Sequence, residues 1–232
     1  MDWQPIQKPA EMVESRLLEA ILSGHFAINS PLPAERELAA SIGVTRPTLR
    51  EALQRLARDG WLEIQHGKAT RVRDYWREGS LAVLSVLAQS PDHQPQDFVV
   101  HLLELRVLIA PEYARQAVRA APKEVVTLLE RYAALEDSAA AFTGADWDLH
   151  ALLVRHASNP VYQLLLNGFR SLYLLVGERY FSFPECRQHS RGFYHSLLDC
   201  ARRKASGDAE SLTRRVMQES MRLARKIQEA AR

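Results

Sequence analysis

The residues whose types and spacing point most directly to chemistry lie near position 46. Arg46 and Arg50 are four residues apart, so a helix places both guanidinium groups on one face. A guanidinium can bond bidentately to the O6 and N7 atoms of guanine, so this pair could specify bases. Thr45 and Thr48 are short donors that suit phosphate oxygens. The pattern predicts a helix whose first turn enters the major groove of DNA.

A second candidate contact is the short basic loop over residues 65–69. His66 and Lys68 flank Gly67, and a residue without a side chain permits close approach to a sugar–phosphate backbone. A loop of this size could reach the minor groove. Arg36, earlier in the chain, would approach the backbone or the edge of a groove. The alternative is that these charges form an ordinary solvated surface.

The net charge of the chain supports a nucleic-acid partner only locally. Thirty Lys and Arg residues against 28 Asp and Glu residues give a formal net charge of +2, which excludes a polybasic tail but not a localised basic face. Residues 46–73 contain seven basic and three acidic residues, a local net charge of +4. The basic charge is therefore concentrated in the segment that carries the arginines and the loop.

The hydrophobic pattern supplies the elements that position these side chains. Apolar residues recur at helical spacing in three stretches of the first quarter of the chain. Gly43 suits the position after a helix, Thr45 suits an N-cap, and Pro47 falls in the first turn of the third helix. Alternating segments then predict a β-hairpin with the basic loop at its tip, and its strands cover residues 61–64 and 70–73. Together these elements predict a winged helix-turn-helix.

Beyond the hairpin the pattern becomes helical throughout. We predict a winged helix-turn-helix domain over residues 1–73, a linker over 74–80 and an all-α effector-binding domain over 81–232. Turn and cap signals divide the last domain into about six or seven helices, with breaks at Ser90-Pro91, Ala121-Pro122, Thr143-Gly144, Asn159-Pro160, Phe183-Pro184 and Ser206-Gly207. The expected fold class is mainly α, with one small β-hairpin before an all-α helical bundle.

The N-terminal segments resemble a known family. The winged helix-turn-helix of the GntR family of bacterial transcription regulators is similar to the segments LPAEREL at 32–38, GVTR at 43–46 and TLREAL at 48–53. The fatty-acid-responsive branch of that family is similar to RLARDGW at 55–61, IQHGK at 64–68 and, in the C-terminal part, NPVY at 159–162 and GFYH at 192–195.

The resemblance implies a set of DNA contacts. The arginines would lie at the major groove and the hairpin loop at the minor groove, and the implied residues are Arg36, Thr45, Arg46, Thr48, Arg50, His66, Gly67 and Lys68. Pro47 departs from the family pattern, because it replaces a residue with a backbone N–H. The implied protein is a homodimer that binds a pseudo-palindromic operator in double-stranded DNA.

Arg106 is the first candidate for ligand binding in the C-terminal part. It lies in the apolar run 102–109, where a buried guanidinium would need an anionic partner. The alternative is an exposed position, paired with Glu104 or Glu112. The resemblance implies an effector site for long-chain fatty acyl-CoA, formed by Arg106, Tyr173, Tyr180, Glu219 and Ser220. From the residues alone, the tyrosines are core packing, and Glu219 and Ser220 are the polar face of a helix.

Two positions depart from the fatty-acid-responsive branch. Ala224 stands where the branch has tryptophan, and Met217 stands where it has glycine. The preferred length of the acyl chain therefore stays open.

A metal site is the second candidate in this part of the chain. Asp146 and His150 are four residues apart on a predicted helix, His195 lies on a later one, and the set resembles the metal site of many relatives. A divalent ion such as Zn²⁺ would suit these ligands, although Gln218 stands at the expected fourth position. The alternative is that the histidines are hydrogen-bonded core residues.

Composition and motifs exclude several classes of protein. The chain has no apolar run that could span a membrane and no export signal, and its cysteines, Cys186 and Cys200, are too few for a disulfide framework. We therefore expect a soluble, cytoplasmic protein with no membrane partner. We also expect no enzymatic activity, because no nucleophile and base stand at a catalytic spacing.

The leading interpretation is a transcription regulator of fatty-acid metabolism, a repressor or activator, whose operator binding is modulated by fatty acyl-CoA and which requires no cofactor. One alternative keeps the DNA-binding domain but senses a small carboxylate through the metal site. Another is a metal-dependent enzyme built on the helical bundle, with an accessory DNA-binding module.

Overall fold

The computed structural model describes residues 8–230. They form two compact units that divide between His93 and Gln94, and each unit is described by itself. The helices are α1 (Pro9–Leu22), α2 (Glu35–Ile42), α3 (Arg46–Arg58), α4 (Tyr75–Glu78), α5 (Ala82–Gln89), α6 (Phe98–Ala120), α7 (Pro122–Arg131), α8 (Ala139–Arg155), α9 (Val161–Gly168), α10 (Arg170–Phe181), α11 (Pro184–Arg202) and α12 (Ser206–Ala230). The strands are β1 (Leu62–Glu63) and β2 (Arg71–Val72). Residues 1–7 of the predicted first domain and 231–232 of the predicted last domain lie outside the described residues.

The three predicted N-terminal helices are confirmed as α1, α2 and α3. Helix α1 packs on α3 because each buries one apolar stripe at helical spacing. Their buried residues include Val13, Leu17, Leu49 and Leu53, each no more than 2% exposed. This core holds the start of α3 in place at the surface of the unit.

The turn between α2 and α3 has the predicted chemistry. Gly43 adopts a left-handed conformation with φ of 80°, which glycine reaches without steric cost. The amides of Gly43 and Val44 both donate to the carbonyl of Ala39, which ends α2. Thr45 then caps α3, because its Oγ1 accepts from the amide of Thr48 at 3.4 Å.

The predicted hairpin is present, but its strands are shorter than the alternating segments. Strands β1 and β2 are antiparallel, with Leu62 opposite Val72 and Glu63 opposite Arg71. The other edge of β2 pairs with the segment before α2, since Pro31 bridges to Arg71. The hairpin is thereby tied to the helix-turn-helix through backbone hydrogen bonds.

Residues 74–80, predicted as a linker, pack within the N-terminal unit. They contain α4, and the ring of Tyr75 lies 4.7 Å from that of the fully buried Trp61. The Ser80 hydroxyl donates to the carbonyl of Asp59 at 3.1 Å. The domain boundary at 74–80 stays a prediction, and the compact unit extends beyond it through α5.

The C-terminal unit is built entirely of helices in its described part. Helix α12 packs along α6, and α8 packs against both α6 and α10. An apolar stripe of α12 faces the core, where Leu212, Val216, Leu223 and Ile227 are partly buried and Ser220 is 6% exposed. The predicted fold class is confirmed.

One predicted helix break was wrong. Helix α8 continues through Thr143 and Gly144, and the break lies earlier, at Ser138, whose Oγ accepts from the amide of Ala141. A glycine inside a helix costs only about 1 kcal/mol, which the burial of Phe142 and Leu149 beside it offsets. A further division separates α9 from α10, so the described residues after 81 form eight α-helices. Among the helices of residues 8–230, none combines the length and the hydrophobicity of a membrane span.

Replacing Gly43 and Gly144 by alanine should change the stability of the protein in opposite directions. Gly43→Ala should destabilise its unit by about 1 kcal/mol, because a side chain is strained at φ of 80°. Gly144→Ala should stabilise by about 0.5–1 kcal/mol, because the site is helical and a Cβ there meets nothing within 4 Å. Denaturant unfolding of each variant, followed by circular dichroism, measures both effects. Shifts of the same sign would contradict the assigned backbone conformations.

Candidate DNA-binding face and ligand cavity

The start of α3 presents the predicted base-reading side chains. Arg46 and Arg50 are exposed and share one acidic partner, Glu35 of α2. Glu35 Oε2 lies 2.7 Å from Arg50 Nε and 3.7 Å from Arg46 Nη2. The hydroxyls of Thr45 and Thr48 lie 2.9 Å apart at the same helix start. The structure thus brings these four predicted residues together, and it adds Glu35, which the sequence analysis missed.

The remaining predicted DNA contacts lie on α2 and on the hairpin loop. Arg36 is exposed on α2, and His66, Gly67 and Lys68 are exposed at the tip of the hairpin. Gly67 has φ of 74°, so the loop needs a glycine there. Within residues 8–230, neither Arg36 nor Lys68 forms an ion pair with an acidic side chain. Their positive charge is therefore available to an anionic partner.

Three other basic residues of the 46–73 segment are held by the fold. Arg55, Arg71 and Arg73 form ion pairs with acidic side chains of the same unit, which are Glu11, Glu14, Glu51, Glu63 and Glu78. The local charge of +4 thus overstates the charge free for DNA. The basic face is narrower than the segment that predicted it.

An apolar cavity of about 110 Å³ lies inside the C-terminal unit. Its walls come from α6, α8, α9, α10, α11 and α12, and most of its lining side chains are aliphatic or aromatic. Met217 lines it and is 3% exposed, so this side chain takes up volume that a glycine would leave open.

A buried polar cluster forms one part of the cavity wall. Arg106 Nη2 lies 3.3 Å from Asp146 Oδ2 and 2.5 Å from His150 Nε2. The Tyr194 hydroxyl donates to Asp146 Oδ1 at 3.0 Å, and the Tyr173 hydroxyl donates to Oδ2. The arginine therefore has the anionic partner that burial requires.

The elements explain why these side chains meet. Arg106 and Tyr113 are seven residues apart on α6, and Asp146 and His150 are four apart on α8, so each pair occupies one helix face. Since α6 packs against α8, the two faces come into contact. Tyr113 Oη lies 2.6 Å from His150 Nδ1, so Tyr113 also belongs to the cluster.

Burial and charge shift the pKa values of this cluster. Burial and then the charge of Arg106 lower the pKa of His150 to about 3, so the imidazole is neutral at pH 7. Burial alone would raise the pKa of Asp146, but the positive charge of Arg106 and the hydrogen bonds from Tyr173 and Tyr194 outweigh it. The pKa of Asp146 therefore lies below its usual value, and the carboxyl is ionised at neutral pH.

The comparisons with known proteins assign the chain to a family. The family model described as bacterial regulatory proteins, gntR family, matches residues 9–72, and that of the FadR C-terminal domain matches 73–231. The chain is 44% identical over 225 residues to the fatty acid metabolism regulator protein of Shewanella amazonensis, covering 96% of this chain and 92% of that relative. The corresponding protein of Klebsiella pneumoniae subsp. pneumoniae is 39% identical over 97% of this chain and 94% of its own.

The chain belongs to the GntR family of bacterial regulatory proteins. The resemblance of the sequence to this family is therefore confirmed, and so is the prediction of a DNA-binding regulator. A solved neighbour in fold is Lar, described as controlling the expression of the Listeria monocytogenes agr system, with a TM-score of 0.66 and 19% identity, covering 96% of this chain and 99% of that one. At that identity the likeness supports the fold alone.

Four of the five predicted effector residues of this GntR-family chain line the cavity, and they are Arg106, Tyr173, Tyr180 and Ser220. Glu219 does not. Its side chain is 41% exposed and pairs with Arg222 at 2.8 Å, as expected for the polar face of a helix. The buried Tyr180 hydroxyl lies beside Ser220 and Cys186, yet it makes no hydrogen bond in good geometry with any described group.

The predicted metal ligands are not brought together. His195 is exposed on α11, whereas Asp146 and His150 are buried. Neighbouring residues of a helix point about 100° apart, and α11 directs Tyr194 at Asp146 instead. Arg106 supplies the cation beside both Asp146 and His150. These residues do not fit a metal ion, and no described group of three His, Cys, Asp or Glu does.

Two members of the cluster, Tyr113 and Tyr194, were missed by the sequence analysis. Tyr113 could have been found from its spacing of seven residues to Arg106. Tyr194 had no such signal, because only the rotation of α11 decides whether it or His195 faces α8.

The neutral state of His150 predicts a pH dependence of stability. In the unfolded chain its pKa is about 6.5, so below that pH the unfolded state binds the proton more readily than the folded state. The part of the folding stability that depends on a neutral His150 is complete above pH 6.5 and is lost as the pH falls toward 3. Lowering the pH from 6.5 to 5 should cost about 2 kcal/mol.

Urea unfolding at several pH values measures the slope of the free energy of unfolding against pH. His150→Phe removes the titrating group and should flatten the slope, whereas His195→Gln, at an exposed histidine, should leave it unchanged. An equal slope in wild type and His150→Phe would contradict a buried neutral His150.

Proposed function

We propose that this GntR-family protein regulates fatty-acid metabolism by binding operator DNA as a homodimer, and that long-chain fatty acyl-CoA modulates this binding. The observation that carries the proposal is the apolar cavity with the Arg106 cluster in its wall, in the unit that matches the FadR C-terminal domain. The names of its relatives, fatty acid metabolism regulator proteins, support it.

The DNA-binding part of the proposal rests on α3 and the hairpin. Arg46 and Arg50 stand at the N-terminal end of α3, which in helix-turn-helix docking faces the base edges. His66 and Lys68, on the hairpin, would contact phosphates or the minor groove. In a two-fold dimer these groups occur twice, so the operator should be pseudo-palindromic.

The cavity suits the acyl part of an acyl-CoA. Its side chains are mostly apolar, so they favour a hydrocarbon chain by the hydrophobic effect. Its few polar groups include Arg106 Nε and Tyr180 Oη, which are buried without a hydrogen-bond partner in the described structure. Unmet polar atoms beside an apolar space are what a ligand with one polar end would satisfy.

The size of the cavity explains how a ligand could act as a switch. At about 110 Å³ it is smaller than the roughly 300–1,000 Å³ of pockets that bury drug-sized ligands. A long acyl chain therefore binds only to an expanded arrangement of the helices. Binding shifts the population toward that arrangement, and an arrangement with lower DNA affinity would release the operator.

Helix α9 is the wall that moves at least cost. None of its residues is buried, and Val161 and Leu164 are 52% and 69% exposed. Few buried apolar contacts hold it, so its displacement exposes little surface. We place the expansion of the cavity at α9.

The alternative, a carboxylate sensor built on a metal site, has no observation in its favour. We propose that the positive charge of Arg106 takes the part that a metal ion plays in such sensors.

Arg50→Ala should weaken operator binding by about 10-fold to 100-fold, because it removes a base or phosphate contact. Arg58→Ala removes the same charge from the other end of α3, where the side chain is 75% exposed beside Asp59, and should change binding little. Fluorescence anisotropy with a labelled fatty-acid promoter fragment at several salt concentrations measures both. Equal losses in the two variants would contradict docking through the start of α3.

Oleoyl-CoA should release the protein from that fragment, because the expanded cavity and the DNA-bound state compete. Free CoA lacks the acyl chain and should leave the complex intact. A specific, salt-sensitive complex that oleoyl-CoA does not change would reject the acyl-CoA effector and leave the DNA-binding regulator standing. Absence of any salt-sensitive complex would reject the regulator as well.

A further inference from the structure

The hydrogen bonds of His150 fix which of its ring nitrogens carries the proton. Arg106 Nη2 lies 2.5 Å from His150 Nε2, and a guanidinium has only donors. Nε2 must therefore offer a lone pair. An imidazole that accepts at Nε2 is neutral and carries its single proton on Nδ1.

The proton on Nδ1 determines the role of the Tyr113 hydroxyl. Tyr113 Oη lies 2.6 Å from His150 Nδ1, so it accepts this hydrogen bond. The hydroxyl keeps its own proton, for which the described residues supply no acceptor. A buried O–H donor without an acceptor carries a desolvation cost that a bound ligand can remove.

The unused donor is positioned at the cavity. Tyr113 lines it and is 3% exposed, while His150 is fully buried and is not among its lining residues. Tyr113 thus lies between the cavity and the imidazole that orients it. A tyrosine that lines the cavity and whose hydroxyl is held by a histidine outside the lining is a built hydrogen-bond donor.

The carboxylate in this part of the cavity wall already accepts three hydrogen bonds. Asp146 Oδ1 accepts from Tyr194, and Oδ2 accepts from Tyr173 and Arg106. Arg106 also keeps a buried Nε–H without a partner. This part of the cavity wall therefore offers donors and one positive charge, so the ligand group that it fits is an acceptor with partial or full negative charge.

We propose that the Tyr113 hydroxyl is a ligand-binding donor, oriented by His150, that hydrogen-bonds a carbonyl-type oxygen carried by an alkyl chain. The inference rests on the proposed function, because an acyl ligand supplies such an oxygen. The oxygen belongs to the thioester of an acyl-CoA or to the carboxylate of a free fatty acid. His150 is a positioning residue, since it touches Tyr113 and Arg106 rather than the ligand.

A ligand that lacks only this oxygen tests the contact. In the S-octadecenyl thioether of CoA a methylene replaces the carbonyl of oleoyl-CoA. Isothermal titration calorimetry of the full chain should show that wild type binds oleoyl-CoA about tenfold more tightly than the thioether, the effect of one hydrogen bond. Tyr113→Phe should remove this preference, because it weakens the binding of oleoyl-CoA but not that of the thioether.

Tyr162→Phe is the matched control. Tyr162 lines the same cavity, and its ring centroid lies 5.9 Å from that of Tyr113. Loss of its hydroxyl should leave the preference for oleoyl-CoA over the thioether unchanged. If Tyr113→Phe retains the preference, or Tyr162→Phe removes it as fully, the assignment to Tyr113 is overturned.

The role of His150 has its own readout. A glutamine can accept from Arg106 through its carbonyl and donate to Tyr113 through its amide, so His150→Gln should keep part of the preference. His150→Phe can do neither and should lose it. Equal preference in these two variants would overturn the positioning role.

Three further results keep the outcomes distinct. If Tyr113→Phe does not fold, the double variant Tyr113→Phe/His150→Phe takes its place, because it replaces both hydrogen-bonding partners by apolar rings. The double variant should fold and should bind oleoyl-CoA and the thioether equally. If it still prefers oleoyl-CoA, the inference is overturned. Oleate that binds with a loss in Tyr113→Phe, while oleoyl-CoA does not bind, supports the oxygen site and assigns it to a free fatty acid. If wild type binds no acyl ligand, the proposed function itself fails.

Discussion

The buried ion pair between Arg106 and Asp146 is the interaction on which the C-terminal unit depends. Removing two charges from water costs several kcal/mol per ion, and the pair recovers this only if the remaining hydrogen-bonding positions are filled. Tyr173 and Tyr194 fill those of Asp146, while His150 accepts a second bond from the guanidinium. Four helices, α6, α8, α10 and α11, thereby meet at one carboxylate.

Under the proposed function, this cluster makes the cavity selective as well as stable. An apolar space lined only by aliphatic side chains would admit any hydrocarbon, whereas a wall with one positive charge and unmet donors favours a ligand with an oxygen at a defined place. Because the same side chains tie α6 to α8 and α10, a ligand that binds them also acts on the packing of those helices. In the proposed function, recognition and conformational response therefore share one set of hydrogen bonds.

Much of the fold could be predicted because its signals are local. Gly43 and Thr45 define the turn before α3 through backbone conformation and one capping bond, and both are legible in the sequence. The break expected at Thr143-Gly144 failed because a glycine is a weak local signal, and burial of neighbouring apolar residues outweighs it. The linker expected at 74–80 contains a short helix, because the aromatic ring of Tyr75 packs on Trp61.

The sequence by itself determined the family, the helix-turn-helix with its arginines at the start of α3, and the need of Arg106 for an anionic partner. Only the tertiary structure decided which partner that is, because spacing along one helix does not fix how it is rotated against another. That rotation brings Tyr194 rather than His195 to Asp146 and places Tyr113 against His150. It also decided which basic residues are free for DNA, since ion pairs across the fold use Arg55 and Arg71. Contacts between helices distant in sequence carry no local signal, and the site consists of them.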